Sequence, residues 1–329
     1  MGNRTKRSNT ATLLTPIVWA LVAISASALA QSYPVKPIRM IVPYPPGGID
    51  IFIRAIAPKA AEMLGQPIIL ENRGGANGFI GTEMLARTEP DGYTLGFVSS
   101  SSMVGGPVLS KSPPFDPVKD FTPVVFLVET TLVLTVSPAV PAHSVKELID
   151  HAKRNPGKLS YASSGVGSAF HLNGEKFKLL TGVDMVHVPY KGSAPMATDL
   201  LAGRVEVGFP ALNNVNPYLS TGKFRLLAVM AKKRNPELPT VPAIGEAIPG
   251  FPPQTPFHGV YAPARLPQSV VSRLNGVFNK AMESPDFRQL AAGNGAVIVG
   301  GPPEQLGDTV KADLKEVGDL VQRLGIPKE

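Results

Sequence analysis

The chain has 329 residues and a formal net charge of +7, which falls to +4 once the three basic side chains of the first 30 residues are set aside. Its lysines and arginines form no stripe with interleaved aromatic residues, which argues against a nucleic-acid-binding surface. Because the chain has no cysteine, disulfides, thiolate nucleophiles, cysteine-ligated metals and a lipid-modified N-terminal cysteine are excluded. The mild positive balance suits an anionic small molecule and equally suits an ordinary solvated surface.

The first 30 residues have the order of a secretory signal peptide. Three basic residues (Arg4, Lys6 and Arg7) precede an apolar stretch from about Leu13 to Ile24, and small residues follow up to Ala30. A membrane anchor is the alternative, but polar residues and a proline interrupt the apolar stretch, which is shorter than the ~20 residues of a transmembrane helix. We therefore predict export, cleavage after Ala30 and a soluble mature chain.

The first motif is a proline- and glycine-rich turn between the apolar run 38–42, a predicted buried strand, and a predicted helix that starts near Ile51. Gly47-Gly48 supply bare backbone and positive φ angles, and Asp50 occupies the position expected of a helix N-cap. A helix start carries unpaired N–H groups and a partial positive charge, so this turn is either an anion-binding site or a plain strand-to-helix connection. The candidate ligand-binding residues are Tyr44, Gly47, Gly48, Ile49 and Asp50.

Strand and helix patterns then alternate along the chain, which favours an α/β fold. About 299 residues exceed a usual single domain, so we expect two lobes. Strands are predicted at 67–70, 94–98, 159–162, 185–188, 205–209, 226–229, 259–261 and 296–299, and helices at 78–86, 144–153, 169–180, 268–282 and 304–324.

The apolar stretch 124–136 is too long for one typical strand and is interpreted as the crossing from the first lobe into the second. Ser144 and Glu147 fit a capping box at the next helix start. The stretch 236–256 contains seven prolines and is predicted to be a surface return path. Too little follows it for a separate domain, so we assign 31–132 plus 255–329 to lobe I and 133–254 to lobe II.

Three further polar turns follow predicted strands, at the end of the sheet where α/β folds bind ligands. The turn 163–168 has the glycines, hydroxyl groups and following helix of the first motif, so that the two turns would clamp a ligand from both lobes. The serine run 99–102 is either a polar loop or a ligand contact. In the loop after Val188, Lys191 is interpreted as solvated. The candidates are Ser100, Ser101, Ser164, Gly165, Gly167, Ser168, Tyr190 and Ser193.

Motifs for cofactors and catalysis are incomplete. Phe170 stands where a dinucleotide fingerprint needs its third glycine, and Ser110 replaces the second glycine of a phosphate-binding loop that Pro107 interrupts. The five histidines have no metal-site spacing, and no G-x-S-x-G elbow is present. A Ser168–His171 dyad is conceivable, but a helix cap beside a surface histidine is the commoner arrangement. We predict no metal, no cofactor and no catalytic residues.

Short blocks in order along the chain resemble one family, the periplasmic receptors of tripartite tricarboxylate transporters, also called Bug or UPF0065 proteins. The blocks are Pro-Tyr-Pro-Pro-Gly-Gly at 43–48, Glu-Asn-Arg at 71–73, Pro-Asp-Gly-Tyr-Thr-Leu at 90–95, Phe-Asp-Pro at 115–117, Asp-Phe at 120–121, Lys-Glu-Leu at 146–148, Tyr-Ala-Ser-Ser-Gly-Val-Gly-Ser at 161–168, His-Val-Pro-Tyr-Lys-Gly at 187–192, Asp-Leu-Leu-Ala-Gly at 199–203 and Leu-Pro-Thr-Val-Pro at 238–242.

The resemblance implies a two-lobed periplasmic binding protein of the type II kind, each lobe a mixed β-sheet flanked by helices, with a ligand cleft between the lobes. It also places the Tyr190–Ser193 loop at that cleft. The chain departs from the family at the first turn, where only Ile49 separates the glycine pair from Asp50 and the family usually has two residues. This departure changes the set of N–H groups at the turn and bears on ligand identity.

The expected function is therefore a monomeric periplasmic receptor, not an enzyme, that captures a small carboxylate for membrane transporter subunits. The carboxylate classes left open are di- and tricarboxylates, aromatic acids and amino acids. The alternatives are a secreted hydrolase or lyase on the same scaffold, which turnover of esters or acids would reveal, and a ligand-sensing partner of a membrane kinase.

Overall fold

The computed structural model describes Gly2 and residues 33–47, 49–75, 78–235 and 238–328. The predicted signal peptide at 1–30 and the candidate residue Gly48 lie outside these ranges. Eleven strands in the described ranges form two separate sheets, one of six strands and one of five. Both sheets contain parallel and antiparallel neighbours and are flanked by helices, which confirms the predicted two-lobed α/β fold.

The first sheet has the strand order β11-β4-β10-β3-β1-β2. β1 is parallel to β2 and β3, whereas β10 is antiparallel to β3 and β4, and β11 is antiparallel to β4. Its strands are β1 (Ile38–Val42), β2 (Ile68–Asn72), β3 (Thr94–Ser99), β4 (Phe121–Thr130), β10 (Phe257–Pro263) and β11 (Ala296–Ile298).

The second sheet has the order β7-β6-β8-β5-β9, with β6 parallel to β7 and β8, and β5 antiparallel to β8 and β9. Each lobe has its own apolar core between sheet and helices. The strands are β5 (Val133–Val136), β6 (Leu159–Ser163), β7 (Met185–Pro189), β8 (Val207–Gly208) and β9 (Arg225–Val229).

Eleven α-helices are described, together with a π-helix (Ser101–Gly105) and a 3₁₀-helix (Asn216–Thr221). The α-helices are α1 (Asp50–Leu64), α2 (Phe79–Ala86), α3 (Gly106–Leu109), α4 (Val145–Arg154), α5 (Ala169–Thr181), α6 (Ser193–Leu201), α7 (Leu212–Val215), α8 (Ile244–Ala247), α9 (Gln268–Met282), α10 (Pro285–Gly293) and α11 (Pro303–Leu324). None of the described helices is long and apolar enough to cross a bilayer.

The apolar stretch 124–136 divides between the sheets, because β4 ends at Thr130 in the first sheet and β5 begins at Val133 in the second. The return connection runs beside it, since the Thr130 N–H donates to the Pro256 carbonyl at 2.8 Å. The Ser144 cap is confirmed by its bond from the Glu147 N–H at 3.2 Å. The carboxylate of Glu147 reaches back one residue further than a capping box requires, to the His143 N–H at 2.8 Å.

Three sequence expectations are wrong in detail. The predicted strand 205–209 contracts to the two residues of β8, and helix α10, which is short and starts at a proline, was not predicted. The return path 236–256 is not confined to the surface, because Ile244 and Phe251 are buried in the core of the second lobe and Gln254 is only 5% exposed. Proline content identified its irregular backbone but gave no information about its burial.

Candidate functional site

The polar turns lie at matching strand ends, as the sequence predicted. β1 and β3 are parallel neighbours in the first sheet, and β6 and β7 are parallel neighbours in the second. The turns that begin after Val42 and Ser99 therefore lie together at the carboxyl-terminal ends of β1 and β3 in the first sheet. The turns after Ser163 and Pro189 lie together at the carboxyl-terminal ends of β6 and β7 in the second sheet.

The first turn differs from the prediction at Asp50, which does not cap helix α1. Ile49 holds the N-cap position in a helical conformation (φ −74°, ψ −20°), so Asp50 already lies in the first helical turn. One oxygen of its buried carboxylate accepts from Arg54 Nε at 2.6 Å, while Oδ1 has no partner among the described residues. Gly47 is exposed with φ at +90°. The short Gly-Gly-Ile-Asp spacing explains this shift of one position.

Tyr44 is tied to the end of β3. Its hydroxyl lies 2.5 Å from Ser99 Oγ and 2.9 Å from Ser102 Oγ, and it accepts from the Ser99 N–H at 3.0 Å. Burial raises the pKa of the Tyr44 phenol, and the hydrogen bonds from the two serines oppose that rise. The phenol is therefore neutral at pH 7 and fixes the first turn against the neighbouring strand.

The serine run at 99–102 continues into the π-helix. Ser100 is buried, and its hydroxyl accepts from the Phe257 N–H on β10 at 3.3 Å. Ser101 is half-buried at the first position of the π-helix. Of the two predicted ligand contacts, Ser101 is the more accessible side chain.

The second turn contains two glycines with positive φ, Gly165 at +132° and Gly167 at +78°. Ser168 caps helix α5, because its hydroxyl accepts from the His171 N–H at 3.3 Å and donates to the Gly165 carbonyl at 2.7 Å. The single proton of this hydroxyl is thus used inside the turn. The half-buried Ser164 accepts from the Gly192 N–H at 3.2 Å through its carbonyl.

Two histidines lie beneath the second turn: His171, which the sequence predicted to be a surface residue beside the helix cap, is buried, and the sequence predicted no role for His187. The Gly167 N–H donates to His171 Nδ1 at 3.3 Å, and the Gly165 N–H donates to Ser163 Oγ at 3.2 Å, which lies 2.7 Å from His187 Nε2. The two imidazole rings are 4.3 Å apart. Burial is the main cause that lowers the pKa of His171 and lowers that of His187 to about 4, so both rings are neutral at pH 7.

These bonds determine which donors of the second turn remain for a ligand. The first N–H groups of any helix lack intrahelical partners, and in α5 the cap serves only that of His171. Within the described ranges, the N–H groups of Ala169 and Phe170 have no acceptor. The available anion-binding donors therefore lie at the start of the helix, just after the predicted glycines.

The last polar loop runs alongside the second turn, because the Tyr190 N–H donates to the Ser163 carbonyl at 2.9 Å. The Tyr190 hydroxyl donates to Asp199 Oδ2 at 2.9 Å, and burial, followed by that carboxylate, raises the pKa of Tyr190 to about 12. Ser193 is half-buried at the start of α6, directly after Gly192 at φ +114°. Asp199 belongs to helix α6, so the phenol of Tyr190 holds its loop against that helix.

The two lobes touch beside these turns. A Cβ atom placed on Gly105 at the end of the π-helix would lie 1.9 Å from the Gly167 carbonyl oxygen, so the two backbones meet with no room for a side chain. Val166 and Leu172 of the second lobe also pack on an apolar cluster of the first lobe. Two glycines thus permit a direct backbone contact between the lobes at the second turn.

The other concave regions lie away from these strand ends. Cavities of about 330 and 450 Å³ flank helix α11 of the first lobe, and none of the candidate residues lines either one. Among the described residues, no group of three histidine, cysteine or acidic side chains could hold a metal ion. Paired strand-to-helix turns, not a large closed cavity, define the candidate site.

Two α/β lobes joined by paired crossings, with strand-to-helix turns of both lobes at the junction, are the architecture of a two-lobed solute-binding protein. Residues 52–326 match the model of the tripartite tricarboxylate transporter family receptor, and the chain belongs to this family. A curated relative, the protein BugT of Bordetella pertussis, is 34% identical over 310 residues, which cover 93% of this chain and 94% of BugT.

Solved structures agree with this assignment. R. palustris Rpa4515 with adipate is 34% identical with a TM-score of 0.82, and the match covers 90% of this chain and 99% of that one. MatC (Rpa3494) from Rhodopseudomonas palustris with bound malate is 29% identical with a TM-score of 0.78, and the match covers 88% of this chain and all of that one. Family and structural neighbours are binding receptors.

Proposed function

We propose that this receptor captures a small organic carboxylate between its lobes and delivers it to the membrane subunits of a tripartite transporter. The observation that carries the proposal is the backbone contact between Gly105, after β3 of the first lobe, and Gly167 of the second turn, which precedes helix α5. β1, the parallel neighbour of β3, leads through the first turn into helix α1. Helix starts favour negative charge. The adipate and malate bound by the two solved relatives are dicarboxylates, which makes this class the first to test.

We propose that backbone N–H groups hold the carboxylate. On the first lobe these are the groups near Gly48 and Ile49, and on the second the groups at Ala169 and Phe170, with that of Ser164 beside them. The Gly165 N–H already donates to Ser163 Oγ. Hydrogen bonds to a charged group contribute about 1.5–3 kcal/mol each, so several can hold a small anion without a cationic side chain. Arg54, one turn into helix α1, is already paired with Asp50 and Asn72.

The proposed lobes are 31–132 plus 255–329 and 133–254, with a hinge at the paired crossings. Strand membership supports these boundaries, because β4 and β10 belong to the first sheet and β5 and β9 to the second. Closure of such lobes around a ligand is a common hinge motion. Residues 1–30 would direct export to the periplasm and be removed after Ala30, leaving a monomer.

We propose that the receptor has no catalytic activity. The Ser163–His187 pair has the spacing of a nucleophile and its base, at 2.7 Å, but Ser163 is fully buried. The aromatic ring of Tyr161 is stacked on His187, 4.9 Å away, and within the described part of the chain no carboxylate is hydrogen-bonded to the imidazole to orient it as a base. This supports a structural role for the pair, and incubation with esters and organic acids should give no turnover.

The functional test is titration calorimetry of the exported protein with adipate and malate, using the neutral diamide of adipic acid as the matched control. We expect at least one acid to bind and the diamide to give no heat, because helix starts discriminate by charge. Equal binding of acid and diamide would contradict carboxylate recognition. Native mass spectrometry of protein taken from cells would identify the acid that the receptor retains.

A further inference from the structure

Lys176 is a buried cation that the proposed ligand site does not use. It lies in the middle of helix α5 in the second lobe and is only 2% exposed. Lysine is rarely buried without partners, because removing its charge from water is costly. A lysine at this depth therefore needs a full set of acceptors.

Its three acceptors come from outside the second sheet and its helices. The ammonium group donates to Glu316 Oε1 at 2.6 Å, to the Pro252 carbonyl at 2.9 Å and to Gln254 Oε1 at 3.3 Å. Glu316 belongs to α11, which packs on the first sheet, while Pro252 and Gln254 belong to the return connection. One side chain of the second lobe thus bonds to the return connection and to the first lobe, and it uses all three of its donors.

A second set of bonds parallels the first. Asn173, one turn before Lys176, donates to the Gln254 carbonyl at 2.8 Å and accepts from the Gln254 N–H at 2.9 Å. The side chain of Gln254 donates to Asp313 of α11 at 2.7 Å. The return connection is therefore held between α5 and α11 by polar bonds on both of its sides.

We infer that the Lys176–Glu316 ion pair is an inter-lobe clasp, and that Lys176 is a positioning residue for the second turn. Helix α5 begins at that turn, so an interaction that fixes α5 against α11 also fixes the turn relative to the first lobe. The bond forms only while the two helices are adjacent, so it stabilises only that arrangement of the lobes. The inference rests on the proposed function for its effect on ligand binding, and not for its effect on lobe arrangement.

The direct test is the distance between the lobes in ligand-free protein. The chain has no cysteine, so Ile69→Cys on β2 and Val186→Cys on β7 give two unique spin-label sites. Both side chains are exposed, and both strands are the sheet edges that lie farthest from the crossing strands. Pulsed electron paramagnetic resonance then reports lobe separation directly.

The test variants are Glu316→Gln and Lys176→Met, and the matched control is Glu283→Gln, which breaks an exposed ion pair within one lobe. We expect both test variants to shift the distance distribution to longer values and the control to leave it unchanged. Glu316 is half-exposed, so Glu316→Gln keeps the fold even if Lys176→Met fails to fold. An unchanged distribution in folded Glu316→Gln protein would overturn the inference.

Binding provides the second readout, with adipate and malate as probes. If the clasp acts by raising the population of the binding-competent lobe arrangement, a variant loses affinity in proportion to its loss of that population. The factor is then the one by which the fraction of molecules with the short spin-label distance falls. A loss of affinity without a change in the spin-label distance would mean that Lys176 stabilises the fold but does not control the arrangement of the lobes. That result would overturn the clasp. If neither probe binds the unaltered protein, the proposed function is in doubt while the distance result still decides the inference.

Discussion

The glycine-rich turns before α1 in the first lobe and before α5 in the second lobe are built differently. The second turn is held from beneath by two neutral histidines, a capping serine and Ser163, which consume the N–H groups of Gly165 and Gly167. The first turn is fixed at its start by Tyr44 and at its end by the Asp50–Arg54 pair. In the second turn, the side chains below the glycines therefore determine which backbone donors remain for a ligand.

The difference indicates separate roles. The glycine N–H groups of the second turn are hydrogen-bonded within the protein, so this turn is rigid. Its ligand contacts are then made by the N–H groups at the start of helix α5. The first turn holds the proposed donors near Gly48 and Ile49, so we expect its length to affect the ligand directly. The missing residue between Gly48 and Asp50 thus falls in the turn where a change has the larger effect.

The largest effect is expected from Gly48→Val, which should abolish binding of adipate and malate. A β-branched side chain would fill the anion-binding position and restrict the backbone at the proposed donor. Calorimetry measures the loss, and circular dichroism checks that the variant is folded. Unaltered affinity in a folded variant would remove the first turn from the site.

Gly105→Ala should weaken binding at least tenfold, which corresponds to about 1.4 kcal/mol. The added methyl group would overlap the Gly167 carbonyl and keep the second turn away from the first lobe. The matched control is Gly276→Ala in helix α9, where an added Cβ has no neighbour within 4 Å. Equal affinities for the two variants would mean that this contact does not form in the bound state.

A smaller effect concerns pH. The lowered pKa of His187, about 4, means that the folded state binds its proton less readily than the unfolded chain does. Below about pH 6.5 the unfolded chain takes up that proton, so stability falls between about pH 6.5 and about 4. His171 and His258 act in the same direction, since burial lowers the pKa of each.

His187→Gln should therefore flatten the pH dependence of stability without removing it. We expect a change of about 1 kcal/mol in the pH-dependent part, because His187 is only partly buried. Urea unfolding at pH 4.5 and pH 7 measures it, with the exposed His143→Gln as the control variant. A slope identical to that of the unaltered protein would mean that the pKa of His187 is the same in the folded and unfolded states.

The smallest effect is expected from Lys191→Ala, which should weaken binding by less than about threefold. Lys191 is exposed and makes no described ion pair, and a screened surface charge contributes about 0–1 kcal/mol. The same calorimetric titration measures it. If Lys191→Ala lost more affinity than Gly105→Ala, a side-chain cation, and not the backbone N–H groups, would hold the carboxylate.

Sequence periodicity and turn residues identified most strands and helices, because both depend on local patterns. The division of the chain between two sheets was predicted from the length of the apolar stretch 124–136, whereas the family resemblance rested on short residue blocks in order along the chain. Helix α10 and the burial of Gln254 were missed, since both depend on packing between segments far apart in sequence. The Asp50 cap was assigned from residue type alone, and the shortened turn moved the helix start by one residue.

Candidate site residues divide in a similar way. The sequence could place hydroxyls and glycines at strand ends, but it could not show which donors the fold itself consumes. Ser168 and Tyr190 are hydrogen-bonded to Gly165 and Asp199, and His187 supports the second turn through Ser163, which lies 24 residues before it in the chain. The only local signals were a histidine one helical turn after a predicted cap and another within an alternating strand.

The central claim is that backbone donors at two helix starts, not a cationic side chain, hold the carboxylate. A crystal structure with bound adipate tests it most directly. The account predicts carboxylate oxygens about 2.7–3.2 Å from N–H groups at the starts of α1 and α5, with no lysine or arginine nitrogen within about 4 Å. A carboxylate paired with Arg54 or Lys191 would contradict it.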